Sequence, residues 1–416
     1  MVSDPNTERR NFRFHLIEGA LYVSSGALHS AQTLYPALIK ELGGSNLAIG
    51  GLHVVVFLAF FLPQLVAAHY TTRFEYRKPW VLTAGLLQRL QILVMAVVVA
   101  SFGVSLPGLA LFCVFFVYAN NQVLSGIASP AWYDLVAKTV KATNRGKLIG
   151  LRTSIGALIG FFNGLLLTVL LATLRFPYNY ASAIGLAFVY QMASLFVLRK
   201  VVEDRPSVVV EPVRLTLMLQ RARAILNGDR RFLRFLVASS LLTVGLSPVA
   251  FFTVAALKKF NLGESYVGLF TILSLGAQMM SSALLGWVAD RKGTKVSLMI
   301  SAGSLCTATS LALVSPSVIY YYAVFVFTGI NLGAEMLTRY NFAVECASEE
   351  NRPMYVGLMN AWFAPFYLFG LLGGWMSDQY GYESVFVGAL VFLFAGIVVL
   401  AGVQDPRRPK LALSSK

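Results

Sequence analysis

The sequence predicts an all-α membrane protein, with twelve transmembrane helices in two pseudo-symmetric six-helix bundles. Three observations lead there: a shortage of charge, a one-sided placement of the basic residues, and a repeat between the two halves of the chain.

Of the 416 residues, 57% are apolar and only 13% are charged. Soluble domains carry about 25% charged residues, so this chain lacks the polar coat that water demands. Its mean hydropathy is +0.67. A spanning helix needs about 20 mainly apolar residues. Twelve segments qualify: 14–38, 47–69, 79–102, 107–136, 148–173, 179–199, 232–257, 264–289, 296–314, 317–342, 353–378 and 382–402. These runs are long and continuous rather than short and alternating, which excludes a β-barrel.

The net charge is +15, and the basic residues lie between apolar runs rather than on a soluble patch. That placement argues against nucleic acid as a partner and for loops on one membrane face. With the N-terminus inside, all but four of the 34 basic residues fall in or near inside loops. The exceptions are Lys40, Arg175, Lys258 and Lys259. An odd number of spans would break this alternation, so both termini are expected to be cytoplasmic. No short apolar core with a small-residue cleavage site opens the chain, and the first apolar run reads as a retained helix.

The expected organisation is a bundle at 1–200, a linker at 201–231 and a second bundle at 232–416. In the linker, Leu215, Met218, Leu219, Ala222, Ile225 and Leu226 recur at helical spacing. This predicts an amphipathic helix on the membrane surface or an ordinary connection. An internal repeat supports the two halves. Tyr133-Asp134-Leu135, Asn144-Arg145-Gly146 and Gly150-Leu151 return, 207 residues on, as Tyr340-Asn341-Phe342, Asn351-Arg352-Pro353 and Gly357-Leu358. Repeated halves imply a transporter with a substrate site near the midplane between them.

After the eighth span the chain reads Gly286-Trp287-Val288-Ala289-Asp290-Arg291-Lys292-Gly293-Thr294-Lys295. This resembles the signature loop of the major facilitator superfamily: glycine, three residues, Asp-Arg, then glycine and a basic residue. The resemblance implies the major facilitator fold and a gating role for Gly286, Asp290, Arg291, Gly293 and Lys295. Asp290 is then expected to face the start of the fifth span, near Gly146 to Gly150. The matching first-half loop, His69-Tyr70-Thr71-Thr72-Arg73-Phe74-Glu75-Tyr76-Arg77-Lys78, keeps the basic end but neither the glycines nor the aspartate.

Ionisable residues inside spans are costly and are functional candidates. In the first span Glu18, Tyr22, Ser25, His29 and Gln32 share one helix face by spacing. They predict either a cavity lining or a polar seam bonded to neighbouring helices. In the tenth span Asn331, Glu335 and Arg339 share a face. Glu335 is read as a proton or substrate contact, or as the structural partner of Arg339. Asn121 and Asn360 are further cavity candidates. Asp134, near the inside end of the fourth span, is expected to pair with Arg145 or Arg152 in a gate.

There is no phosphate-cradling loop, which argues against ATP-driven pumping. The three cysteines and four histidines show no metal-ligand spacing. No cofactor, metal or enzymatic constellation is expected. The sequence therefore predicts a monomeric, alternating-access transporter of a small organic solute in the plasma (bacterial inner) membrane, coupled to protons through Glu18, His29 and Glu335. The alternative is a transporter-shaped sensor or assembly factor that does not cycle.

Overall fold

The computed structural model describes residues 5–71, 73–207, 215–348 and 351–406, and every element in them is helical. The first span is interrupted: α1 (Pro5–Ser25), a 3-10 turn (Gly26–His29) and α2 (Leu34–Glu41). Five continuous spans follow: α3 (Asn46–Thr71), α4 (Lys78–Phe102), α5 (Pro107–Thr139), α6 (Ala142–Thr173) and α7 (Tyr178–Leu198). A connecting helix, α8 (Leu215–Gly228), precedes the second half. There α9 (Arg230–Val244), a turn (Ser247–Ala250) and α10 (Phe252–Lys259) make another interrupted span. Next come α11 (Tyr266–Lys292), α12 (Thr294–Val314) and α13 (Val318–Cys346). A third interrupted span comprises α14 (Arg352–Phe363), a turn (Ala364–Leu368) and α15 (Phe369–Tyr380), and α16 (Tyr382–Ala401) closes the fold.

By length and apolarity, eleven segments of the described residues can cross a membrane. The broken first span is the twelfth. Helices overrun the expected apolar windows on the side of the chain termini, where α6 begins at Ala142 and α13 runs to Cys346. Polar residues there stand beyond the lipid and continue the helix without desolvation. Within the linker, residues 208–214 lie outside the described residues.

Packing repeats between the halves. The pairs α4–α5, α3–α5, α4–α7 and α1–α7 are matched by α12–α13, α11–α13, α12–α16 and α9–α16. The halves meet along α6–α11 and α3–α15, which are also equivalent pairs. At the second seam a Cβ on Gly50 would collide with the backbone of Gly370, so glycine is required for the helices to touch.

The interruptions have different local causes. Pro248 and Pro365 lack an N–H, which weakens the helix at spans seven and eleven. In the first span the cause is polar. Ser30 turns extended (ψ 126°), and its Oγ accepts from the N–H groups of Gln32 (3.3 Å) and Thr33 (3.2 Å). A short hydroxyl thereby replaces the missing helical carbonyls. The carbonyl of Gln32 is also freed, and Thr253 Oγ1 of α10 donates to it at 3.0 Å.

Buried carbonyls that lose a partner are expensive. Thr253→Val is expected to destabilise the protein by about 1–3 kcal/mol, read as a lowered melting temperature in detergent. Thr253→Ser, which keeps the hydroxyl, is expected to melt close to wild type.

Candidate functional site

The side of the fold that carries both chain ends is called here the terminal side, and the opposite side the far side. The polar stripe of α1 turns toward its own half. Glu18 is buried, with Arg152 Nη2 of α6 at 3.7 Å from its carboxylate. Arg152 also lies over the Trp132 ring at 4.4 Å. Tyr22 Oη accepts from Gln88 Nε2 (3.2 Å), and the Arg89 guanidinium lies over the Tyr22 ring. Gln191 Nε2 of α7 donates to Ser25 Oγ (3.1 Å) and sits 3.0 Å from His29 Nε2. Asn121 Nδ2 donates to the Gln88 carbonyl (2.8 Å). Gln32 lies in the interruption, where its backbone meets the second half. One network thus links α1, α4, α5 and α7 through the core of the first bundle.

Arg89, Gln88, Gln191 and Ser194 complete this network and do not figure in the sequence reading. Arg89 donates to the carbonyls of Gln191 (2.6 Å) and Gly85 (2.9 Å). The available signal was an arginine in the middle of an apolar run, the same rule that singled out Glu18.

The second half holds its own pair. Arg339 Nη2 contacts Glu335 Oε1 at 2.6 Å, and Arg339 donates to Thr243 Oγ1 (2.8 Å) and the Ser239 carbonyl (3.3 Å) of α9. Asn331 Nδ2 donates to the carbonyl and Oγ of Ser301 (both 3.1 Å). Glu335, Arg339 and Asn331 border a small gap of about 10 Å³ between α9, α12, α13 and α16. Asn360 is half-buried on α14 and makes no side-chain hydrogen bond among the described residues. Each bundle therefore buries an acid held against an arginine.

On the terminal side Asp134 pairs with Arg77 Nε (2.6 Å), not with Arg145 or Arg152 as expected. Arg145 instead donates to the carbonyls of Val140 (3.1 Å) and Ala137. The departure follows from helix geometry: Arg145 folds back onto the end of α5, whereas Arg77 reaches α5 from the start of α4. Glu203 caps α4 by accepting from the N–H groups of Arg77 (2.9 Å) and Lys78 (2.8 Å), and Lys138 contacts it at 2.6 Å. In the signature loop Gly293 has φ +98°, and a side chain there would strike the Asp405 carboxylate. Lys295 donates to the Ala401 carbonyl (2.6 Å), Thr294 to Glu345 (2.7 Å), and Arg291 stacks over Trp287. Asp290 closes α11 beside that turn, and Gly286 lies one turn earlier. Thr72 of the first-half loop lies outside the described residues.

Hydrogen bonds crossing between the halves cluster on the far side. Thr33 and Thr271 hydroxyls are 2.6 Å apart, and Thr253 reaches Gln32. Asp378 accepts from the N–H groups of Asn46 (2.9 Å) and Leu47 (2.8 Å), capping α3 from the other half. Tyr382 Oη donates to Asn46 Oδ1 (3.0 Å). Asn179 Nδ2 donates to Glu264 (2.7 Å). Midway down the same seam Phe57 stacks on Tyr367, with centroids 3.9 Å apart.

The buried pairs give opposite results when broken singly or together. Removing one partner leaves an uncompensated charge at about 3–5 kcal/mol, while replacing both is often neutral. Arg339→Met is expected to lower the detergent melting temperature strongly, and Glu335→Gln with Arg339→Met to recover most of the loss.

The family model described as Major Facilitator Superfamily matches residues 235–416. No curated protein sequence matches the chain. Solved structures cover nearly all of it. A variant of the nucleoside transporter NupG aligns with TM-score 0.73 at 10% identity, covering 96% of this chain and 100% of the other. A POT family transporter in complex with a thioalcohol-conjugated peptide gives 0.72 at 10%, covering 95% of each. A bacterial homologue of the iron transporter ferroportin gives 0.69 in its inward-facing state (16% identity, 98% of this chain, 100% of the other). Its outward-facing state gives 0.60 (18%, 93% and 98%). The family match thus spans the second half of the chain, and the solved structures share its fold across both halves.

Proposed function

We propose that the protein moves a small polar organic solute by alternating access, driven by protons, with both termini cytoplasmic. The one-sided clustering of inter-half bonds carries this reading. Six hydrogen bonds and a stacked aromatic pair join the halves from the far side to mid-depth. In this orientation the far side is external and the conformation is inward-facing. The better fit to the inward-facing ferroportin homologue, 0.69 against 0.60, supports that assignment.

Rocking of residues 1–200 against 232–416, across the linker at 201–231, would break the far-side bonds and bring Asp290 to the start of α6 near Gly146. Arg77–Asp134 and Lys295–Ala401 keep each terminal-side loop rigid during that motion. Arg145, held against the end of α5, braces the α5–α6 turn. Bistable interfaces of this kind convert small energies into domain motion.

Two buried carboxylates supply the proton chemistry. Glu18 faces Arg152 and Glu335 faces Arg339, each inside a bundle. A proton arriving on either acid frees its arginine, which repositions α6 or α13. Tyr22, Ser25, His29 and Gln32 continue from Glu18 toward the seam, and Asn121, Asn331 and Asn360 add amide donors and acceptors. This set suits a solute with several polar groups. The structural neighbours are described as carrying nucleosides, peptides or iron. The common fold therefore selects no cargo, and the cargo must be read from these side chains.

Purified protein in proteoliposomes is expected to accumulate its solute when a pH gradient is imposed, once a thermal-shift screen has named a ligand. Glu18→Gln and Glu335→Gln are each expected to cut gradient-driven accumulation at least tenfold while leaving ligand-induced melting shifts measurable. Accumulation that persists unchanged without a proton gradient contradicts proton coupling. A ligand that binds but never crosses the sealed bilayer contradicts transport.

A further inference from the structure

On the terminal side the first turns of α1 carry Glu8, Arg9, Phe12 and Arg13, which share one helix face by their spacing. The loop from α5 to α6 brings Lys141 beside them, and the first turns of α6 bring Asn144 and Lys147. Between the two elements lies a cavity of about 360 Å³, lined by these side chains. Pockets that hold small molecules run from about 300 to 1,000 Å³, so the space is large enough for one. Glu8 is buried, and Lys141 Nζ meets its carboxylate at 2.6 Å. Phe12 packs on the buried cluster of Val136, Val140 and Leu148 and fixes the wall from which Arg9 and Arg13 project.

Four cations against one carboxylate leave this cavity with an excess of three positive charges. Arg9, Arg13 and Lys147 make no ion pair among the described residues. Like charges gathered on one cavity repel unless an anion sits among them. We propose that the cavity binds a phosphate-bearing anion. Guanidinium groups grip phosphate oxygens two at a time, and the lysines add point charge. Asn144 offers an amide donor, and the start of α6 brings the positive end of a helix dipole. The site stands whether or not the two halves rock.

The place of the cavity favours a phospholipid as the carrier of that phosphate. Arg13 and Lys147 each stand immediately before an apolar window, 14–38 and 148–173. The cavity therefore opens at the boundary between water and lipid, where basic pockets meet anionic headgroups. Leu151, Ile155 and Leu158 follow Lys147 along one exposed face of α6, and exposed Ile17 follows Arg13 by one turn of α1. An acyl chain lying on these residues would lead its headgroup into the cavity. Arg10, on the same helix, is exposed but does not line the cavity, and Lys200 is exposed just after α7.

The test is titration of the purified protein in neutral detergent, read by native mass spectrometry and by melting temperature. The probes are phosphatidylglycerol, phosphatidylcholine and inorganic pyrophosphate. Phosphatidylglycerol is expected to bind and to raise the melting temperature, and phosphatidylcholine to bind about tenfold more weakly. Arg13→Gln with Lys147→Gln is expected to weaken phosphatidylglycerol by about tenfold. Arg10→Gln with Lys200→Gln removes the same charge outside the cavity, and Arg13→Lys with Lys147→Arg keeps the charge within it. Each of these pairs is expected to stay within about threefold of wild type. Pyrophosphate binding with the same pattern across variants, and no preference between the lipids, supports the site and assigns it to soluble phosphate compounds. Equal losses in the two glutamine pairs assign the effect to overall charge and overturn the site. Failure to distinguish the two lipids, with no binding of pyrophosphate, also overturns it.

Discussion

The structure depends on how two broken helices satisfy their backbone in lipid. Interruption of a spanning helix frees carbonyl and amide groups where no water can serve them, and each orphan costs several kcal/mol. Spans one and seven break at equivalent depths, and part of the cost is met across the seam. The Gln32 carbonyl takes the hydroxyl of Thr253, and Thr33 meets Thr271. The far side therefore stays shut through groups that the folded halves cannot satisfy alone. Any open state must supply them with water instead, which makes opening a wetting event.

The remaining far-side contacts build on that closure. Asp378 caps α3 from the opposite bundle with two backbone hydrogen bonds, where the helix dipole favours a carboxylate. Glycine contact between α3 and α15 brings the backbones close enough for this cap to reach. The terminal side uses the same device within a half. Glu203 follows the sixth span and caps α4; Asp405 follows the twelfth and lies against the turn that begins α12. In the proposed rocking motion, capping across the seam would resist movement, whereas capping within a half would keep each half rigid.

The architecture was legible in the sequence because lipid imposes one rule on every span. Apolar length located eleven of the spans, and the broken first one lies within the first expected window. The interruptions were less visible. Pro248 and Pro365 stand in two of them, within spans expected to be continuous, and Ser30 acts through a hydroxyl that looks the same in a continuous helix. The α1 stripe showed one polar face by spacing, yet spacing does not say what that face meets. Its partners, Gln88, Arg89 and Gln191, come from α4 and α7, far away in sequence. Asp134 was identified with the wrong cation for a related reason. Local sequence offered Arg145, and tertiary packing brought Arg77. Glu264 and Asp378 sit in a short loop or at a span end, where acidic residues are ordinary. Only their placement across the seam distinguishes them.

The central claim is that the halves must part on the far side for the protein to work. The Thr33 and Thr271 hydroxyl oxygens lie 2.6 Å apart, a separation suited to a disulfide between cysteines at the two sites. The most direct measurement is solute transport by the Thr33→Cys, Thr271→Cys protein, with Cys113, Cys306 and Cys346 replaced, before and after oxidation. Transport should be lost in proportion to cross-linking and return on reduction. Undiminished transport by fully cross-linked protein would contradict the account.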